Sequence, residues 1–452
     1  NLADVFAQTA ERQPGHAAIL GPDPNVVLSY ATLRETIDAM AERLRSAGVT
    51  PGMCVGLHYP SGAQYIILTY ALWRCGACVI PIAVELADQE KERICREIGI
   101  DAMITTKAGL NIFRPHLQEA VIELNTDTLF GLANTKPTRP EGFVPINPAF
   151  LRFTSGTTGE SKGVVLSHET IYERIYAAND VLHIGPEDRV VWLLSMSYHF
   201  AVSIVAYLTF GASIILCKNH FGPTVIRATN DNRGTLIYGS PMHYELMAGV
   251  DGIERLPSLR LAISTTTALR NETLESFYQR FGIPLVQAFG IIEIGLPFIN
   301  LEKPMEKRGS VGKLLPAYEL SMQDIGLGER LRAIRIRGKG LFDAYYSPWR
   351  TREQVMTDGW FATGDLGELD EEGYLYIRGR SKDMISVAGM KFFPQEVEQI
   401  LNDHPAVKES CVYAHQHHLF GEVPHARVAV SYTHLRAHET PEHLVCRLLL
   451  EK

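Results

Sequence analysis

The twenty residues Leu151-Arg-Phe-Thr-Ser-Gly-Thr-Thr-Gly-Glu-Ser-Lys-Gly-Val-Val-Leu-Ser-His-Glu-Thr170 decide how the rest of the chain is read. An apolar run, Ala149 to Phe153, leads in and reads as a strand. Ser155 to Lys162 then places two glycines, four hydroxyl residues and one lysine in eight positions. Val164 to Leu166 reads as a second short strand. Ser167 is suited to cap a helix that starts at His168, with Glu169 in the first turn, where negative charge favours the helix dipole. Such a loop suits phosphate. Gly156 and Gly159 permit positive φ and turn backbone N–H groups inward. Ser155, Thr157 and Thr158 add hydroxyl donors, and Lys162 adds a charge that can follow departing phosphates. The pattern is not G-x-x-x-x-G-K-[ST], because the order here is Lys162-Gly163. A solvated Gly/Thr turn is the alternative for a random cluster of this composition.

Composition narrows the rest. The chain has 452 residues, 46% of them hydrophobic, enough for a large core and more than one domain. A net charge of -8 gives no reason to expect nucleic acid or an anionic membrane as partner. No apolar run reaches the length of a membrane span, and no basic-then-apolar signal opens the chain. Asn1 is not a methionine, so the expectation is that the true start is missing. The seven cysteines lack the spacing of a disulfide framework and suit a reducing cytoplasm. Cys75-Gly-Ala-Cys78 matches C-x-x-C, but it lies where a helix turns into an apolar strand and reads as packing. His415, His417 and His418 form a cluster without the supporting partners a metal site needs.

Along the chain, helical and strand periods alternate. Helices are expected over Leu2–Glu11, from Leu28 to Ala47 with Gly48 as the stop, and over Ser61–Arg74 and Ala87–Ile98. Strands are expected over Met53–Leu57, Ala77–Ile82 and Ala102–Thr105. Thr126 to Pro148 carries four prolines and no periodicity, and reads as a surface connection. The alternation resumes after the phosphate loop, with strands at Arg189–Leu194, Ala212–Cys217, Gly234–Tyr238, Leu259–Ser264 and Pro284–Phe289. Helices intervene at Ala201–Phe210, Pro241–Gly249 and Asn271–Phe281. This is the signature of βαβ units and a mostly parallel sheet. From Gly309 to Tyr346 the period falls towards two, as in a smaller β-rich section. Trp360 to Arg378 reads as two strands around Asp370-Glu-Glu-Gly373. The fold class is therefore α/β, with a large N-terminal domain of parallel-rich sheets flanked by helices plus a smaller β-rich section. A small, incomplete α+β C-terminal domain follows.

FTSGTTGESKGV resembles the signature loop of the AMP-forming adenylation superfamily, which includes acyl-CoA synthetases, adenylation domains of peptide synthetases and luciferases. LSYATL and WRCGACVIPI resemble earlier motifs of that superfamily. The resemblance implies ATP contacts at Thr154, Ser155, Gly156, Thr157, Thr158 and Gly159, with Lys162 catalytic. Gln287-Ala-Phe-Gly-Ile-Ile-Glu293 follows an expected strand, at the end where open α/β sheets bind ligands. There the resemblance implies an adenine contact at Gln287, an aromatic beside the adenine at Phe289, and a catalytic, Mg²⁺-linked carboxylate at Glu293. Ile292 departs from the pattern, which has threonine at that position. Ser264-Thr-Thr-Thr-Ala-Leu269 stands where the family has a glycine pair, and its β-branched residues restrict the backbone. Asp365, within DGWFATGD, matches the carboxylate that grips the ribose hydroxyls. Arg380, within YLYIRGR, can reach ribose or phosphate with its planar fork, and the resemblance implies a catalytic role for it beside Lys162 and Glu293. Ser195-Met-Ser-Tyr-His199-Phe resembles the gate beside the carboxylate substrate, which puts His199, Phe200 and Tyr238 in the acyl pocket.

Lys382 resembles the hinge of the family, and Gly389 lies in a loop resembling the one presented to the thiol. Pro394 opens the helix PQEVEQILNDH at a favoured first position. The domains implied are 1–381, large, binding ATP and acyl group; 382–430, small, mobile and partial; and 431–452, a tail that reads as foreign. No residue takes the role of the C-terminal catalytic lysine. The implied function is ATP-dependent activation of a small carboxylic acid to an acyl-adenylate, then transfer to the thiol of CoA or of a carrier protein's phosphopantetheine. ATP and Mg²⁺ are the implied cofactors, an acyl carrier protein is a possible partner, and the cytoplasm is the implied location. Two alternatives stay open. An amino-acid-activating domain would place an aspartate in the segment that here reads SYHFAVS. A non-catalytic adenylate-binding relic would agree with Ile292.

Overall fold

The computed structural model describes residues 1–21, 27–154, 162–252, 255–326, 330–387, 390–417 and 421–430. Ser155, Gly156, Thr157, Thr158 and Gly159 of the phosphate loop, Gly389 of the thiol-side loop, His418 and the tail 431–452 lie outside the described residues, and Thr154 is described only as the end of its strand.

The chain divides into two compact units that interleave in sequence. One holds 1–320, 336–361 and 371–375, and the other holds 321–335, 362–370 and 376–452. Two nine-stranded sheets, among the described residues, build the first. In one sheet, Leu285–Ile291, Leu261–Ser264, Leu236–Gly239, Arg189–Trp192, Ser213–Leu216 and Ala17–Leu20 run parallel in that order. In the other, Pro148–Thr154, Cys78–Pro81, Cys54–His58 and Ala102–Thr106 form the parallel centre. Parallel strands buried on both faces read as continuous apolar runs, and Cys54–His58 and Cys78–Pro81 are buried throughout. The helix Ala63–Arg74 is buried at every residue from Tyr65 to Trp73 and carries almost no polar face.

Both sheets end in antiparallel strands, and here the alternation misleads. Gly295–Ile299 folds back antiparallel onto Leu285–Ile291. The expected connection over 126–148 is a strand in its first part: Thr128–Ala133 pairs antiparallel with both Ala102–Thr106 and Leu117–Asn125. The four prolines all lie after Lys136 and disfavour a ladder only there. The helix Gly222–Asp231, with no counterpart in the sequence reading, packs Val225 and Ile226 into the core with Ile237, Tyr244, Phe277 and Leu285.

In the second unit, Met390–Phe392, Ile385–Val387, Gly421–Val430 and Val407–His417 make a four-stranded sheet, with the helix Pro394–Asn402 beside it. A second four-stranded sheet, in the order Tyr318–Asp324, Arg332–Gly338, Phe361–Leu369 and Leu375–Arg380, is the smaller β-rich section.

Candidate active site

The phosphate loop is held at its base by an antiparallel hairpin. Pro148–Thr154 pairs with Lys162–Ser167, and Thr154 lies opposite Lys162. Ser167 ends the second strand and caps the helix His168–Leu182 by accepting the Thr170 N–H at 3.0 Å. Asp343 fastens this corner: its carboxylate accepts from Ser167 N at 2.6 Å and Thr170 Oγ1 at 3.1 Å. On the outer side, Ala344–Tyr345 pairs antiparallel with Val164 and Val165. A Cβ on Gly163 would come within 3.0 Å of Tyr346 Cβ and 3.2 Å of the Phe153 ring, so glycine is what allows these strands to close up.

That pairing brings Lys162 and Glu293 onto one tyrosine. Lys162 Nζ lies 4.8 Å from the centroid of the Tyr345 ring, and Tyr345 Oη donates to Glu293 Oε1 at 3.1 Å. Burial, and then the Glu293 charge, raise the Tyr345 pKa, which keeps the phenol a donor. Glu293 stands in the turn between Leu285–Ile291 and Gly295–Ile299. The turn is tight: a Cβ on Gly290 would sit 2.3 Å from the Gly295 carbonyl oxygen. The guanidinium of Arg174, fully buried on the helix His168–Leu182, clamps this turn. It donates to the carbonyls of Ile292 at 2.6 Å, Glu293 at 2.8 Å and Gly340. Phe342 N donates to the same Glu293 carbonyl at 2.7 Å. The backbone under Glu293 is thus fixed, while the side chain points to Tyr345.

His199, Tyr238 and Trp192 come together as three mutually neighbouring rings. Trp192 stacks on Tyr238 at 6.1 Å and 17°, and His199 meets Tyr238 edge-on at 6.2 Å. Burial, then the nearby Arg152, push His199 down to about 4, so its imidazole is neutral. Tyr238 also lines a small pocket, partly open to solvent, walled by Val202, Ala206, Tyr207, Ile263 and Leu296. Phe200 faces elsewhere. It is 2% exposed and packs among Tyr65, Trp73 and Phe150. Its contacts are those of an aromatic core residue behind the gate segment.

Gln287 lies beside Ser264 in the parallel ladder, and Phe289 sits opposite Phe298. Past Ser264 the backbone turns sharply, with Thr266 at φ 78°. The left-handed region is unusual for any residue with a Cβ and costly for a β-branched one. Glycine adopts that region freely, and no glycine stands between Ser264 and Leu269.

Within the second unit, Asp365 and Arg380 form a pair: Arg380 Nε donates to Asp365 Oδ1 at 3.1 Å. Asp365 is 3% exposed and its N–H donates to Thr363 Oγ1 at 3.0 Å. Lys382 is exposed in the turn that follows. Cys75 and Cys78 are buried free thiols, and burial raises the pKa of both, Cys75 to about 11, which makes poor nucleophiles and metal ligands.

Tyr345 and Arg174 escaped the sequence reading. Arg174 did leave a signal: it stands on the apolar stripe Ile171, Ile175, Ala178, where an unpaired charge is out of place. Tyr345 left none, because its place depends on a strand paired across 180 residues of chain. As for a metal, Glu293 is a hard carboxylate donor held by one phenol hydrogen bond. That fits Mg²⁺, which takes one or two protein carboxylates and fills its shell with water and substrate phosphate. No group of three or more potential ligands occurs among the described residues, so a closed all-protein cage is not available there.

Comparison with known proteins places the chain among characterised families. The model of the AMP-binding enzyme family matches residues 6–346, and that of the AMP-binding enzyme C-terminal domain matches 396–447, a span that runs past Val430. The chain is 26% identical over 446 residues to an indoleacetate–CoA ligase of Aromatoleum aromaticum, covering 93% of this chain and 86% of the relative. It is 28% identical over 454 residues to a 4-chlorobenzoate–CoA ligase of an Arthrobacter species, covering 95% and 85%. In structure it is similar to the o-succinylbenzoate CoA synthetase of Bacillus subtilis in complex with its acyl-adenylate intermediate, with a TM-score of 0.82 at 23% identity over 98% of this chain and 91% of that one. The amide bond synthetase of Marinactinospora thermotolerans also gives 0.82, at 23% identity, over 100% of this chain and 92% of the other. The family model matches residues 6–346, most of the large unit, and leads to one conclusion: the chain belongs to the AMP-binding enzyme family.

Proposed function

We propose that this protein is an AMP-forming acid–thiol ligase of the acyl-CoA synthetase kind. The observation that carries the reading is the grouping of Lys162, Tyr345 and Glu293 beside the base of the phosphate loop. The acid's carboxylate oxygen attacks the α-phosphorus of ATP, the bond to the bridging oxygen breaks, and pyrophosphate leaves with the electron pair. The thiol sulfur then attacks the acyl carbonyl, its proton passes to solvent, and AMP leaves. No covalent enzyme intermediate is required, so the protein contributes positioning and charge neutralisation.

Under this reading Lys162 and the hydroxyls and amides from Thr154 to Gly159 receive the phosphates. Mg²⁺ held on Glu293 would offset the negative charge that converges there. Gln287 and Phe289 flank the adenine, and Asp365 and Arg380 take the ribose. His199 and Tyr238 border the acyl group, with Phe200 behind them. Lys382 keeps the role of hinge, and Gly389 that of serving the thiol. CoA is the preferred acceptor, because the named relatives are CoA ligases; carrier-bound phosphopantetheine is the second candidate. An amino acid is a poorer substrate than a simple acid, because His199, Trp192 and Tyr238 bring no carboxylate to hold an ammonium. Buried free thiols favour a reducing, cytoplasmic setting. Among the described residues no helix is long and apolar enough to cross a membrane.

The test is pyrophosphate–ATP exchange with Mg²⁺ over a panel of aliphatic and aromatic acids, followed by thioester formation with CoA. Exchange that depends on the acid supports the reading. Absence of exchange and of AMP release with every acid overturns it.

A further inference from the structure

Arg152 stands on the strand Pro148–Thr154, just before the phosphate loop and opposite Val164. The strand's period of two gives its neighbours Leu151 and Phe153 to the core that holds Val165, Ala344 and Tyr346. Arg152 therefore shares the other face with Phe150, which packs on Trp73 at 5.3 Å and Phe200 at 5.9 Å. A guanidinium is an unexpected occupant of such a face.

Two contacts hold it. Nη1 donates to the Tyr198 carbonyl at 2.6 Å, and Cζ lies 4.9 Å from the centroid of the Tyr198 ring. Neither neutralises the charge. Nε is shielded from solvent and makes no hydrogen bond, and no carboxylate among the described residues is within ion-pair distance. Part of the residue remains accessible. The groups that feel its charge are Glu293, Tyr198, Tyr65 and the neutral His199. Burying a charge without a counter-ion carries a desolvation penalty. An anion that enters removes that penalty, and a guanidinium offers the planar fork that matches a carboxylate.

We infer that Arg152 is the carboxylate anchor of the acid substrate, holding the acid beside the aromatic group His199–Trp192–Tyr238 before adenylation. The inference rests on the acid–thiol ligase reading and assigns that site its charge recognition. Once the adenylate has formed, the acyl carbonyl is neutral and the ion pair is lost. Arg152 thus binds the ground state, and its removal acts on the KM for the acid more than on kcat.

The experiment measures binding of hexanoate, benzoate and phenylacetate, each against its primary amide, to the full chain by calorimetry, for wild type, Arg152→Lys and Arg152→Gln. AMP binding is measured in parallel. Wild type is expected to prefer at least one acid over its amide by roughly tenfold or more, the scale of a charge-assisted hydrogen bond. Arg152→Gln is expected to abolish the preference and leave AMP affinity unchanged. Arg152→Lys, which keeps the charge and loses the fork, is expected to retain part of it, and decides the matter if the glutamine variant does not unfold cooperatively. An undiminished preference in the variants, or a wild type that prefers no acid, overturns the anchor. Acid binding through Arg152 without pyrophosphate exchange would keep the anchor and remove the ligase reading. Exchange with an unchanged KM for the acid in Arg152→Gln would do the reverse.

Discussion

Tyr345 Oη donates to Glu293 Oε1 at 3.1 Å across 52 residues of sequence. The same ring carries the Lys162 ammonium 4.8 Å from its centroid. One phenol therefore sets the spacing of a cation and a carboxylate that belong to different motifs.

Tyr345→Phe keeps the ring under Lys162 and removes only the hydrogen bond to Glu293. Hydrogen bonds to charged groups contribute about 1.5–3 kcal/mol, so adenylate formation should slow by roughly tenfold or more. Single-turnover pyrophosphate release should show this at saturating Mg²⁺. A rate equal to wild type would mean that Glu293 is positioned by its clamped backbone alone.

Asp365 is a buried carboxylate paired with Arg380. If it receives the ribose, wild type should bind AMP more tightly than 2′-deoxy-AMP, and Asp365→Asn should lose about tenfold in AMP affinity and most of that preference, because an amide oxygen is a weaker acceptor for two hydroxyls. Equal loss of AMP and 2′-deoxy-AMP binding would assign Asp365 to holding Arg380 instead.

Thr266 sits at φ 78° although it is β-branched. Such a residue costs on the order of 1–3 kcal/mol in this region, and glycine would offset part of the relief by its greater unfolded-state entropy. Thr266→Gly should therefore stabilise the protein by about 1 kcal/mol in urea unfolding. Destabilisation would show that the threonine side chain makes up for its own strain.

His168 is 4% exposed, and burial brings its pKa down to about 3. Its Nδ1 accepts the Leu2 N–H at 3.2 Å, as only the neutral ring can. The unfolded chain takes up the proton near pH 6.5, whereas the folded one does so only near 3. Between these values the unfolded state binds more protons. Stability is therefore flat above pH 6.5 and falls as pH drops, by at most about 1.4 kcal/mol per unit for this group. His58 and His243, each lowered to about 4 by burial, act in the same direction. Urea unfolding at pH 7.5, 6 and 5 should show the loss, and His168→Gln should reduce its slope by up to one proton. An unaltered slope would contradict the buried neutral imidazole.

The local grammar of the chain was readable from its residues. Ser167 as a cap, the helix Asn271–Phe281 and the two strands around Asp370–Gly373 follow from capping chemistry, amphipathic spacing and turn residues acting within a few positions. The strands that flank 155–161 and the strand that leads into Glu293 follow in the same way from short apolar runs. The sequence by itself thus determined the fold class and the family. Only the tertiary structure decided that Tyr345 meets Glu293, that Arg174 clamps carbonyls 118 and 119 residues away, and that Arg152 lies on Tyr198. Those relations depend on which strands become neighbours, and sheet order is set by packing of the whole core, which no window of residues contains.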